Sequence, residues 1–278
     1  IVPIISIGLA GLFYIQWENF LPFNTSGTTT IAAITATTTL TFFAFLGIEC
    51  ATIPSGSVAN SAATVARATT LGTLIATLVY ILSTVSIMGM IPAAQLKTSV
   101  TPFADAAVLI WGHGAEYWVS AGVAIAAFGA LNGYILIQGQ LPYAIAKDKL
   151  FPAIFMRLNN KGVPVLGVVI SSVFVSILMS MNYTKGLVEQ FKFLMLMTTS
   201  TILIPYFFCT ASYFIMQTRL PFRSNKFLAM AILLASLTFI FCLWIMIGLG
   251  QETVFWGFFL TMSSVPIYVF AVWKRDKI

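Results

Sequence analysis

The stretch FFAFLGIECATIPSG, Phe42 to Gly56, is apolar enough for a membrane. It nevertheless carries a carboxylate, Glu49, two residues after Gly47 and five before Pro54. An unpaired carboxylate deep in a bilayer costs at least a few kcal/mol, so such residues usually face a cavity or a pathway. Gly47 weakens helix through backbone entropy and Pro54 through its missing N–H. Broken helix at membrane depth is tolerated where it lines a cavity, and secondary transporters seat substrates at such breaks. The stretch therefore reads as a broken span beside a path, with Glu49 as a proton switch or a counter-charge for a cation. The plainer alternative is a proline kink with a structural carboxylate bonded to a neighbouring helix.

The rest of the chain supports a membrane setting. Of 278 residues, 59% are hydrophobic and only 8% charged, and the mean hydropathy is +0.96. A soluble domain carries about 25% charge, so this composition in water would leave large apolar surfaces exposed. The charges cluster between long uncharged runs, where a β-barrel would show short alternating segments. The fold class is an all-α polytopic membrane protein.

Apolar runs of about 20 residues mark spans. They fall near Thr28–Ser57, Ala68–Ile91, Tyr117–Gln140, Val163–Met181, Phe191–Met216, Phe227–Gly248 and Val254–Trp273. Ile1 to Ile15 is too short for a span and reads as the end of a helix begun earlier. The expectation is one transmembrane domain over residues 1–278, truncated at its N-terminus, with one partial and seven full spans.

Basic residues then set the orientation. Arg67, Lys147, Lys149, Arg157, Lys161, Arg219, Arg223, Lys226, Lys274, Arg275 and Lys277 fall on one side; Lys97, Lys185 and Lys192 fall on the other. The positive-inside rule places the first set, and with it the C-terminus, in the cytoplasm. This accounts for the net charge of +6 without a nucleic-acid partner.

Chemistry-bearing residues are sparse. The acidic residues other than Glu49, namely Glu18, Asp105, Glu116, Asp148, Glu189, Glu252 and Asp276, lie in loops or near span ends. Cys50, Cys209 and Cys242 sit in apolar runs without metal spacing and read as buried small hydrophobes. The single His113 lies in an exterior loop. No catalytic motif, metal-ligand cluster or cofactor signature is present, so the chain reads as a non-enzyme without a cofactor. Gly129 and Gly133 form a GxxxG, extended by Gly122 and Ala126, and read as a packing seam. Tyr134, beside Gly133, faces either a cavity or lipid. The polar cluster at Thr198 precedes Pro205-Tyr206; such hydroxyls mostly back-bond within their own helix.

These residues carry a resemblance. FAFLGIE (Phe43 to Glu49), YILSTVSIMGMIPAAQL (Tyr80 to Leu96), TPFADAA (Thr101 to Ala107), AKDKLFPAIFMRLNNKGVPV (Ala146 to Val165) and IPYFFCTASYFIM (Ile204 to Met216) resemble the amino acid–polyamine–organocation superfamily. Within it the chain is most similar to the basic amino acid/polyamine antiporters, of the arginine/agmatine and putrescine/ornithine type. The resemblance implies a LeuT-like fold of twelve spans with inverted repeats, of which this chain would be the C-terminal part, from the end of span five to span twelve. It also implies a bacterial inner (plasma) membrane location, an amino acid or polyamine substrate, and a possible homodimer.

The resemblance also implies site roles. Phe43 matches an aromatic that covers the substrate, where the arginine/agmatine antiporter has Trp; Phe gives a weaker cation–π contact than Trp. Leu46 and Gly47 match the broken segment facing the substrate. Glu49 matches a carboxylate for proton sensing and gating. Tyr134 stands where that relative has Trp stacked near the substrate. Thr198 matches a substrate-bonding Ser, and Tyr206 a tyrosine of the inner gate. The loop VANSAATVARATT (Val58 to Thr70) departs, lacking the family's Asn-Pro and most of its basic residues.

The function expected is exchange of a basic amino acid for its amine or polyamine by alternating access. The alternatives are a truncated membrane protein that does not transport, and a proton-coupled symporter of neutral amino acids in the same fold.

Overall fold

A computed structural model of the chain describes residues 2–50, 52, 60–181, 186–219 and 225–275. The described residues are helical with connecting turns. The helices are α1 (Val2–Gly11), α2 (Thr30–Phe42), α3 (Ser61–Met90), α4 (Ala93–Leu96), α5 (Pro102–Trp111), α6 (Ala115–Lys147), α7 (Val165–Met181), α8 (Leu187–Arg219), α9 (Asn225–Gly248), α10 (Gln251–Met262) and α11 (Val265–Arg275).

Among the described residues, six helical stretches are long and apolar enough to cross a membrane: Thr30–Cys50, Ala63–Met90, Ala115–Lys147, Val188–Arg219, Asn225–Gly248 and Gln251–Trp273. Their outward faces carry large exposed apolar residues such as Leu74, Phe128, Phe208 and Ile240, the surface a lipid solvent requires. The stretch expected as a further span near Val163–Met181 forms α7, of 17 residues, or about 25 Å at 1.5 Å per residue. The last stretch is not one straight helix. It turns at Ser263–Ser264, where both hydroxyls donate to carbonyls of the preceding turn, on Leu260 and Thr261.

The chain divides into two compact units. The first comprises Ile1–Gly27, Gly47–Ile145 and Phe155–Val173; the second comprises Thr28–Leu46, Ala146–Ile154 and Phe174–Ile278. In the first, α1 packs along α3. Ser86 Oγ donates to the Gly8 carbonyl at 2.6 Å, which satisfies a buried hydroxyl and pins the two helices together. Ile7, Ile87, Met90, Ala106, Ala107 and Val119 form the core beside that bond. The segment after α1 is strapped to the end of α3: the Gly89 carbonyl accepts the Gln16 N–H at 2.9 Å and Asn19 Nδ2 at 2.7 Å.

In the second unit α8 packs on α9 and α10, and α2 packs on α9. Leu203, Cys242, Ile245 and Leu249 make its core, with Phe42, Tyr206 and Phe241 around them. Backbones approach closely through glycine. A Cβ on Gly248 would strike Thr39 Oγ1, and one on Gly257 would strike Ser200 Oγ. Small residues that admit such contacts are the usual basis of helix association in lipid.

The GxxxG expectation needs correction. Gly122 does pack, against Pro3 of α1, but a Cβ at Gly129 or Gly133 would meet nothing within 4 Å among the described residues. A second close approach on α6 occurs at Gly139, which faces Pro164, Gly167 and Val168.

Candidate functional site

The opening stretch breaks as its residues require. Thr29 caps α2, its Oγ1 accepting the Ala32 N–H at 3.4 Å. The helix ends at Phe42, tightens into a single 3-10 turn over Phe43–Phe45, and stops when Leu46 turns extended (φ −75°, ψ 147°). Gly47 follows at φ +96°. A side chain is rarely tolerated there, and glycine is the residue that adopts it without a Cβ penalty. Ile48 to Cys50 resume as a further 3-10 turn. Pro54, Ser55, Gly56 and Ser57, the other half of the expected break, lie outside the described residues.

Glu49 closes this turn. Its Oε2 accepts the Gly47 N–H at 3.0 Å, and its backbone carbonyl accepts the Thr52 hydroxyl at 2.6 Å. The carboxylate is half-buried. It thus satisfies a backbone donor released by the break, and a charge-assisted bond of this kind is roughly twice as strong as a neutral one. Tyr134 comes to the same place from α6. Its hydroxyl lies 2.8 Å from where a Cβ on residue 47 would stand. Gly47 is therefore required twice, by its backbone angle and by the phenol beside it. Glu49, Cys50 and Tyr80 all lie within Coulombic reach of that phenol.

The second unit holds the other residues singled out in the sequence. Phe43 is half-buried, with its ring edge-on to Phe191 of α8 (centroids 6.1 Å apart, planes at 87°). Leu46 ends the unit's share of the broken stretch. Tyr206 packs edge-to-face on Phe42 at 6.4 Å. Thr198 lies exposed on α8, its hydroxyl donating to the Leu194 carbonyl at 2.8 Å. Its neighbours Thr199 and Ser200 are fully buried. A donor spent on its own helix leaves Thr198 only lone pairs to offer.

Gly47, Glu49 and Tyr134 are therefore brought together in one unit, and Phe43 and Tyr206 each gain an aromatic partner in the other. Phe42, Phe191, Cys50 and Tyr80 were not expected from the sequence. Phe42 and Phe191 carry no signal beyond being aromatic residues in apolar runs, because ring contacts across distant segments leave no local spacing. The described residues contain no group of His, Cys, Asp and Glu suited to a metal.

A family model described as amino acid permease matches residues 1–273. Over 200 residues, 71% of this chain and 41% of the relative, the sequence is 35% identical to a Bacillus subtilis (strain 168) protein named provisionally as an arginine/ornithine antiporter. Over 277 residues, 99% of this chain and 63% of the relative, it is 25% identical to the putrescine transporter PotE of Haemophilus influenzae. Over 180 residues, 64% of this chain and 40% of the relative, it is 32% identical to the cadaverine/lysine antiporter of Escherichia coli (strain K12). The aligned regions span between 40% and 63% of the length of these relatives. With the permease match running along nearly all of its residues and its long apolar helices suited to a membrane, the chain belongs to the amino acid permease family, a family of multi-pass membrane transport proteins rather than enzymes.

Proposed function

We propose that the chain belongs to a secondary transporter that exchanges a basic amino acid for its amine or a polyamine, of the arginine/agmatine or ornithine/putrescine type, by alternating access. The observation that carries this reading is the helix break at Leu46–Gly47 with the Glu49 carboxylate bound to the Gly47 amide. A broken span supplies free backbone groups for the amino-acid end of a substrate. A carboxylate beside it supplies a counter-charge for a cationic substrate and a group that can take up a proton. The relatives' names point to the same substrate class.

In this reading Phe43 covers the substrate and gives a cation–π contact to its charged end. Leu46, Gly47, Tyr134 and Thr198 are each assigned a part in binding substrate. Glu49 senses protons, and Tyr206, edge-on to Phe42, belongs to the gate. The protein sits in the bacterial inner membrane with its C-terminus and the basic loops in the cytoplasm.

Counterflow tests the exchange. Proteoliposomes loaded with agmatine, putrescine or ornithine should take up labelled arginine or ornithine faster than empty ones. Equal uptake into empty vesicles would rule out obligatory exchange. Competition by neutral amino acids alone would point to symport.

A further inference from the structure

Three polar features converge on one glycine. The Gly47 amide donates to Glu49 Oε2 at 3.0 Å. The Gly47 Cα, at φ +96°, carries no side chain. The Tyr134 hydroxyl occupies the space in which that side chain would begin, 2.8 Å from the Cβ position. All three residues lie in the same compact unit.

We propose that the Tyr134 hydroxyl positions the Glu49 carboxylate on the break, so that it sets the pH at which the transporter switches. The inference deepens the reading of Glu49 as the proton-sensing group and rests on it. The carboxylate reaches the Gly47 N–H across two residues of a tight turn, so its place depends on the turn keeping its shape. The phenol abuts that turn at its least protected point, the Cα without a side chain. It does so from another helix, α6, and therefore holds the turn against the rest of the unit. It also brings a hydroxyl, donor and acceptor both, against the turn that the Glu49 carboxylate closes. Tyr134 thus acts through Glu49 and is a positioning residue. The other titratable groups within Coulombic reach of the phenol are Cys50, whose N–H donates to the Gly47 carbonyl at 3.1 Å, and Tyr80.

The test needs a readout independent of transport. Infrared titration of the protein reconstituted in lipid follows the protonated-carboxyl band, and the part of it lost in Glu49→Gln belongs to Glu49. Tyr134→Phe keeps the ring and removes the hydroxyl. It should move the pH midpoint of that band by about half a unit or more, about threefold in proton affinity. The pH midpoint of exchange should move with it, and Cys50→Ala or Tyr80→Phe should leave the displacement in place. If Tyr134→Phe does not fold, Tyr134→Trp removes the hydroxyl while filling the space, and the same displacement is expected. A midpoint unchanged by loss of the hydroxyl overturns the proposal. So does a change in substrate KM alone, which would make Tyr134 a substrate contact and nothing more. A Glu49 band that moves in Tyr134→Phe, together with no counterflow by the wild-type protein, would refute the exchanger reading while upholding the positioning role.

Discussion

The indole N–H of Trp244 donates to the Thr35 hydroxyl at 2.8 Å, joining α9 to α2 across 209 positions of sequence. That hydroxyl donates in turn to the Ile31 carbonyl at 2.9 Å, so it is used in both directions. The bond fixes the helix that ends at the break. Hydrogen bonds between membrane helices are worth about 0.6 kcal/mol on average and up to about 1.7. Trp244→Phe should therefore lower the melting temperature of the purified protein by a few degrees, while Thr35→Val, removing the other partner, should add little on top. Additive losses would show that the two residues act independently.

Gly248 and Gly257 should not tolerate a methyl group, whereas Gly129 should. The first two lie where a Cβ would meet Thr39 and Ser200, and the third faces open space. Overpacking a close contact costs about 1–3 kcal/mol. Thermal melts of the three alanine variants test this, with Gly129→Ala expected near wild type or slightly above it, since alanine favours helix by about 1 kcal/mol. A Gly129→Ala melt as depressed as that of Gly248→Ala would contradict the open face.

Gly47→Ala should reduce substrate binding more than stability. Its positive φ costs a side chain about 1–3 kcal/mol, and the new Cβ would displace the Tyr134 hydroxyl. Isothermal titration with arginine or putrescine, beside a thermal melt, separates the two effects. Binding equal to wild type would remove Gly47 from the seat.

Glu49→Gln should flatten the pH dependence of exchange. Glutamine keeps the size and an oxygen acceptor for the Gly47 amide, so the turn survives while the proton-binding group is gone. Exchange rates measured in proteoliposomes from acid to neutral pH decide it. A profile with the wild-type slope would show that the proton is sensed elsewhere.

Phe43→Trp should tighten binding of cationic substrates. Indole is the strongest cation–π partner, and such contacts contribute about 0.5 to 2 kcal/mol. The gain should appear for arginine or agmatine and be absent for a neutral amino acid. Equal gains for both would mean that the ring provides apolar cover alone.

The break at Gly47 was legible because helix-weakening residues and a carboxylate sat together in one apolar run. Six of the seven expected full spans coincide with described helical stretches long and apolar enough to cross a membrane, because lipid demands long uninterrupted apolarity. The turn within the last span was less legible. Ser263 and Ser264 before Pro266 mark it, yet the apolar run continues through them and hydropathy averages over the interruption. The seam on α6 misled for a different reason. GxxxG spacing marks a face able to approach a neighbour, and which glycines do so depends on where the neighbours lie; here Gly122 and Gly139 have them. Tyr134 was legible as a residue of interest but not as a partner of Gly47. The contact joins segments more than eighty residues apart, and no local pattern encodes it.

The threonines of α2 have one further consequence. Thr35, Thr38, Thr39 and Thr41 each turn their hydroxyl back to a carbonyl of their own helix, at 2.8 to 2.9 Å. A helix that internalises its polar atoms in this way presents a smooth bearing surface to its surroundings. Beyond the Trp244 indole, which grips Thr35, α2 is held to α9 mainly by van der Waals fit. A small slide of α2 along α9 would therefore disturb few directional bonds, and the friction opposing it would come from the notch where Thr39 seats in Gly248.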